Sequence, residues 1–460
     1  MRRIPKIFAF LLTAALMDVA VAQTIDSDDC LASSASVAAR PDNGPNIWLI
    51  LLDDADYQHY RFLGSPAART PNLDFILASG CVFENGYVTM STCRPTIASL
   101  LSGKTPDEHL IRNNDVDIVL DPRELFTAEL IHAGYYTFLG GKFFEGRAGA
   151  RPEAYGFRCY EKAGPQQQAE NFPTAFVRTG QDRFLRLAES SPVKWFALWA
   201  PLLPHTPFDA PRRYRGRIDV DAIVVPPGVS QQNQIACRNE IRDYLGNLAW
   251  LDDAIGEGLA RLIACGQLEN TLIITVADNG WAAGSIAKQS PYEKGNRTHI
   301  SFTWINKIEP KVRDDLVSVV DIPPTVMELI GSRPPHFFSG RSLAACLLQD
   351  AAPVRDAIAG VNYSLLPFPD EPDDVTNSLV ARWSRRDRYK YIRFYRPVTL
   401  GTNVCCLRWQ FRYLPVPSIV TGEEQLFDLE DDPFERSNRV SDPALATILA
   451  QLRADADAVR

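Results

Sequence analysis

The sequence has no Cys-x-x-Cys pair and no cysteine–histidine spacing of the kind that holds structural zinc. It has no internal repeat and no low-complexity tract, which excludes repeat architectures. It lacks an excess of positive charge: 48 Lys and Arg stand against 56 Asp and Glu, a net charge of −8. With a pI near 5.4, that argues against a nucleic-acid binder. It does not exclude anionic substrates, because the local field of a site outweighs the total charge. Beyond the first 17 residues no apolar run is long enough for a membrane helix.

What is there is ordinary globular composition, 46% hydrophobic and 23% charged over 460 residues. That length suits two or three domains, or one large α/β unit. Arg2, Arg3 and Lys6 precede an apolar run over 7–17, and Ala20-Val21-Ala22 forms a small-x-small site before Gln23. This reads as a signal peptide over 1–22, with an uncleaved anchor as the alternative. The expected location is the periplasm or the outside of the cell, with no membrane span after cleavage. Removing 1–22 takes away three basic side chains and Asp18, leaving the chain more acidic by two charges. Nine cysteines remain. Export permits disulfides; with Cys93 set aside eight can pair, although Cys81 and Cys265 also fit buried thiols.

Residues 23–43 are small and polar, a flexible lead-in. The run Asn46-Ile-Trp-Leu-Ile-Leu-Leu52 has no alternation, as in a strand buried on both faces of a parallel sheet. Segments 195–199 and 271–276 repeat the pattern. A helix between them carries Leu248, Leu251, Ile255, Leu259, Leu262 and Ile263 on one face, with Gly266 as its stop. The expected fold is α/β: a large mixed, mostly parallel sheet sandwiched by helices over 44–345. A smaller C-terminal α+β subdomain, an antiparallel sheet plus a helix, is expected over 346–460. There 350–375 reads as linker or loop, 378–383, Tyr389–Phe394 and 408–413 as strands, and the end from Pro443 as a helix.

Asp53-Asp54 and Asp278-Asn279 each end a buried strand, where open α/β sheets place their ligands. Adjacent carboxylates repel unless a cation joins them, and hard oxygens suit Ca²⁺ or Mg²⁺. Each pair alone also fits a solvated turn.

The stretch Ser91-Thr-Cys-Arg-Pro-Thr-Ile-Ala-Ser-Leu-Leu-Ser-Gly103 resembles the sulfatase signature at Cys93, Pro95, Thr96, Leu100-Leu101 and Ser102-Gly103. Further segments resemble the same family in the same order: Pro45-Asn46 to Asp54, Thr70-Pro-Asn-Leu-Asp74, Gly141-Lys142, the block from Ala200 to Pro211 around His205, Lys288-Gln-Ser-Pro-Tyr292-Glu293, Asp321 to Thr325, and the late block from Gln425 to Pro433. The resemblance implies that Asp53, Asp54, Asp278 and Asn279 bind a divalent metal, usually Ca²⁺. It implies that a maturation enzyme oxidises Cys93 to formylglycine, the nucleophile. It implies that Lys142 and Lys288 hold the sulfate oxygens and that His205 is the general acid. Fixed cations would oppose the charge that develops on the leaving oxygen.

The pattern breaks twice. Ile97 stands where the signature has arginine. In a helix, position 97 shares a face with Cys93 while Arg94 points about 100° away, so Arg94 is no substitute. Phe144 stands where many members have a histidine two residues after the lysine, and Glu145 stands where others have His or Asn. Glu145 is either a candidate base or a surface charge. His109 falls where the family often has a residue near the site, and is expected one layer back. Gly-Lys-x-x-Glu and Asn113-Asn114 look more like sugar-acting members. Three functions fit these residues: hydrolysis of sulfate esters, of a sugar by preference; binding of sulfated glycans without turnover; or phosphoester or phosphonate hydrolysis on the same scaffold. The sequons Asn296-Arg-Thr298 and Asn362-Tyr-Ser364 are candidate glycosylation sites.

Overall fold

A computed structural model describes residues 44–459 except 115, 144, 146–149, 163–184, 187–188, 190, 192, 282–286, 365–378 and 398–418. The expected signal peptide, the lead-in, Phe144 and the strand at 408–413 lie outside the described residues.

Eight strands form the large sheet: β1 (Asn46–Leu52), β2 (Cys81–Tyr87), β3 (Tyr136–Gly141), β4 (Cys159–Lys162), β5 (Trp195–Ala200), β6 (Thr271–Ala277), β7 (Arg297–Thr303) and β8 (Lys311–Ser318). Their spatial order is β4-β3-β5-β1-β6-β7-β2-β8. All neighbours run parallel except at β7, which is antiparallel to both β6 and β2. In β1, Trp48, Ile50 and Leu52 enter one core while Ile47, Leu49 and Leu51 enter the other. Both faces are covered, which is why the run shows no alternation.

The covering helices include α1 (Pro71–Ala78), α2 (Cys93–Ser102), α3 (Phe126–His132), α4 (Gln234–Ala264) and α5 (Ile322–Leu329). Side chains of α1 and α4 fill one core, and those of α2, α3 and α5 the other. Leu248, Leu251, Ile255, Leu259 and Leu262 of α4 are buried as expected, but Ile263 is 43% exposed. One residue past Leu262 is a turn of about 100°, enough to carry Ile263 off the apolar stripe. Gly266, at φ +68°, comes just after the end of α4.

The C-terminal part holds a second, antiparallel sheet in the order β12-β11-β10-β9, from β9 (Ala357–Tyr363), β10 (Leu379–Arg386), β11 (Tyr389–Phe394) and β12 (Glu424–Asp428). Helix α6 (Ala446–Asp457) seats Leu449, Leu452 and Ala456 against Tyr391 and Leu426. A separate cluster joins Trp383, Ile392 and Phe427 of this sheet to Tyr87, Tyr292 and Leu316 of the large unit. The fold is therefore the expected α/β unit with a small antiparallel sheet and helix. Strand β9 corrects the reading of 350–375 as linker: the Pro/Asp texture belongs to its neighbours, while residues 360–364 are buried.

Both sequons are inaccessible, with Asn296 at 0% and Asn362 at 1% exposure. Neither is a glycan acceptor in the folded chain. Cys81, Cys93, Cys237, Cys265 and Cys346 are free thiols, whereas Cys159 is disulfide-bonded. No helix among the described residues is long and apolar enough to cross a membrane.

Candidate active site

Adjacent parallel strands β3, β5, β1 and β6 end on one edge of the sheet. That edge receives Lys142 from β3, the loop carrying His205 from β5, Asp53-Asp54 from β1 and Asp278-Asn279 from β6. Gly141 permits the approach at Lys142. Its φ is +94°, a Cβ there would lie 2.4 Å from the Ala200 carbonyl oxygen, and the Lys142 amide donates to that oxygen at 2.8 Å. Cys93 reaches the same edge from the first turn of α2, the helix that follows β2.

One ligand atom each from Asp53, Asp54, Cys93 and Asp278 lies within 4.8 Å of the others, and all four residues are buried. Asp54 adopts φ +59°, and its amide donates to Asp278 Oδ1 at 3.0 Å. The Asn279 amide donates to Asp54 Oδ1 at 2.7 Å. This holds the Asn279 carbonyl oxygen 3.4 Å from the Cys93 sulfur. Three converging carboxylates and an amide oxygen form a hard-donor set that fits a divalent cation such as Ca²⁺ or Mg²⁺.

Two ammonium groups thread the cluster. Lys142 Nζ lies 2.7 Å from Asp53 Oδ2 and 3.4 Å from Asp278 Oδ2. Lys288 Nζ lies 2.6 Å from Asp54 Oδ1 and 3.0 Å from Cys93 Sγ. His205 Nε2 is 3.4 Å from Asp54 Oδ2, while its Nδ1 bonds the Thr206 carbonyl at 2.7 Å. Its side chain is 30% exposed, against 7% and 9% for the two lysines, so His205 stands at the mouth.

The charges respond to one another. Burial alone would raise the Asp53 carboxyl, but Lys142, His205 and Lys288 hold it well below the usual range. Burial and then Asp53 push Asp278 up to about 6. Burial would lower both lysines, yet Asp53 chiefly holds Lys142, and Asp54 chiefly holds Lys288, above the ordinary ammonium value. Both are cationic at neutral pH. Burial and then Asp278 push the Cys93 thiol upward.

Two candidates stand elsewhere. Glu145 is neither a surface charge nor turned toward the reacting groups. It is fully buried, its two carboxylate oxygens meet Arg94 Nε at 3.1 Å and Nη2 at 3.3 Å, and Tyr155 donates to it at 3.0 Å. The sequence pattern could not reveal this, because its partner lies 51 positions away. His109 supports α2 from behind. The Ile111 amide donates to its Nδ1 at 3.0 Å, which leaves Nε2–H for the Ser99 hydroxyl, also at 3.0 Å. Burial pushes its imidazole down to about 3, so it is neutral. Ile97 belongs to the apolar core on the α2 side of the sheet and is 4% exposed.

Sequence reasoning missed Asn247. This buried α4 side chain donates to the carbonyls of His205 at 3.2 Å and Pro207 at 3.0 Å, and accepts from the Ala210 amide at 2.9 Å. It cradles the loop that presents His205. An amide among Tyr244, Leu245, Leu248 and Leu251 was the available signal, since a buried polar group needs partners.

Comparison with known proteins identifies a family. The sulfatase family profile matches residues 45–332. The chain is 29% identical to arylsulfatase A of Homo sapiens, over 91% of this chain and 87% of the relative. It is 25% identical to an ulvan-active sulfatase of Formosa agariphila, over 89% and 80%. A solved structure described in complex with its substrate D-glucosamine-2-N,6-O-disulfate aligns with a TM-score of 0.73 at 18% identity, over 90% of this chain and 97% of that one. At that identity the likeness bears on the fold.

Proposed function

This chain belongs to the sulfatase family, and on that premise we propose that it hydrolyses the sulfate ester of a sugar, with Cys93 as the site of the nucleophile. The observation that carries the reading is the junction at Lys288, whose ammonium touches both an acidic residue of the cluster and the Cys93 sulfur. A sulfate group brought to Cys93 meets Lys288 on one side and Lys142 across the cluster. These fixed cations oppose the charge on the sulfate oxygens inside a largely dry site, where they cost no reorganisation. His205 stands at the open side, toward the leaving group. Its Nδ1–H is held by the Thr206 carbonyl, so the acid is the imidazolium form, whose Nε2–H is the proton handed to the departing sugar oxygen.

Asp53, Asp54, Asp278 and Asn279 would hold the divalent cation, Ca²⁺ by preference, which supplies charge stabilisation beside the nucleophile. Formylglycine at position 93, made by a maturation enzyme, would supply the attacking hydrate. The sugar preference draws on the relatives: one is described as ulvan-active, and a fold neighbour is described with a glucosamine disulfate. Export to the periplasm or medium fits residues 1–22.

The test is mass spectrometry of the Cys93 peptide together with sulfate release from aryl and sugar sulfates. Formylglycine in the wild type, and loss of release in Cys93→Ala, are expected. Unmodified thiol with equal trace activity in Cys93→Ala would refute the proposal and leave glycan binding without turnover.

A further inference from the structure

The Arg94–Glu145 pair joins two elements that each carry a candidate site residue. Arg94 is the neighbour of Cys93 on α2, and Glu145 lies on the segment that begins with Lys142. Both side chains are 0% exposed. The contact is a fork, Nε to one carboxylate oxygen and Nη2 to the other. Two of the three remaining N–H groups of the guanidinium are also engaged: Nη1 donates to the Val116 carbonyl, and Nη2 reaches the Ile118 carbonyl at 2.6 Å. The Arg94 amide donates to Asn114 Oδ1 at 3.0 Å, so the first turn of α2 is fixed by backbone and side chain together. Tyr155 closes the network, donating to Glu145 and accepting from the Leu120 amide at 2.9 Å.

Burying two charges is costly, and a hydrophobic pair often replaces them without loss of stability. What the fork adds over an apolar pair is direction. Position 97, one turn along from Cys93, offers only an aliphatic side chain in the core, so it cannot orient Cys93 through a hydrogen bond.

We propose that the Arg94–Glu145 fork is a positioning pair, setting the Cys93 end of α2 against the Lys142 segment. The proposal rests on the sulfatase reading of the site for its kinetic consequence, but not for its geometry.

The experiment compares Arg94→Lys, Glu145→Gln and the double variant Arg94→Met with Glu145→Met. In each, kcat, KM and the thermal melt are measured on a sulfate ester that the wild type hydrolyses. The expected result for the double variant is a cooperative melt with kcat lowered about a hundredfold and KM little changed, as for a misplacement near 1 Å. Arg94→Lys should show the same split, because an ammonium keeps the charge and loses the fork. If the double variant does not fold, Arg94→Lys decides. Wild-type kcat in either variant overturns the proposal. If the wild type releases no sulfate, it is the sulfatase reading that fails. The pair is then judged by the alkylation rate of unconverted Cys93 thiol, read from its peptide: faster labelling in the variants supports positioning, and an unchanged rate overturns it.

Discussion

The ammonium of Lys288 lies 3.0 Å from the sulfur of Cys93, although the two residues are 195 positions apart. The same nitrogen is held by Asp54, so it is aimed before any substrate arrives. Replacing Lys288 by alanine should lower kcat by ~10²–10³-fold, the usual loss when one preorganised donor is removed. Sulfate release under saturating ester checks this, and a loss expressed only in KM would contradict the assignment.

His205 predicts a dependence on the leaving group. A sugar alcohol needs a proton to depart, whereas a nitrophenolate needs little help. His205→Gln should therefore cost ~10²–10⁴-fold on a sugar sulfate, and far less on an activated aryl sulfate. Equal losses on both substrates would assign His205 to binding or structure.

The cluster of Asp53, Asp54 and Asp278 predicts stabilisation by metal. Binding to the folded chain alone adds about 2.7 kcal/mol at a hundred times Kd. Added Ca²⁺ should raise the melting temperature of chelator-treated protein, and Asp278→Ala should abolish the increase. Calorimetric titration of the metal checks the same point without any turnover.

Glu293 predicts how stability varies with pH. It is buried between Lys390, at 2.9 Å, and Arg385, at 3.4 Å, and so fastens the small sheet to the large one. Burial alone would raise its carboxyl, but Lys390, then Arg385 and Arg297, hold it down at about 2. A carboxyl lower in the folded than in the unfolded chain stabilises fully above the unfolded value of about 4.5, and that contribution fades as pH falls through 2. Glu293→Gln should cost about 3–5 kcal/mol at neutral pH. The gap from wild type should narrow in acid, as read from denaturant melts at several pH values. A gap independent of pH would show that the cost is one of packing.

The strands β1, β5 and β6 and the carboxylates that terminate β1 and β6 were legible because burial on both faces leaves continuous apolar runs, and the polar residues at the ends of those runs collect at one sheet edge. Strand β9 was not, because prolines and aspartates around it mask a short segment whose burial depends on a partner sheet.

By itself the sequence determined the α/β class, the order of the family's segments and which residues are candidates for the site, since these depend on local pattern and residue type. Only the tertiary structure decided where Glu145 and His109 point. Glu145 read as a base or a surface charge until Arg94 appeared beside it, and His109 was fixed as a neutral support by Ile111 and Ser99. The physical reason is that a polar side chain's role depends on which donors and acceptors surround it once water is gone, and chain folding brings those together from distant positions. The same holds for Lys288 and Cys93, whose contact no spacing could announce.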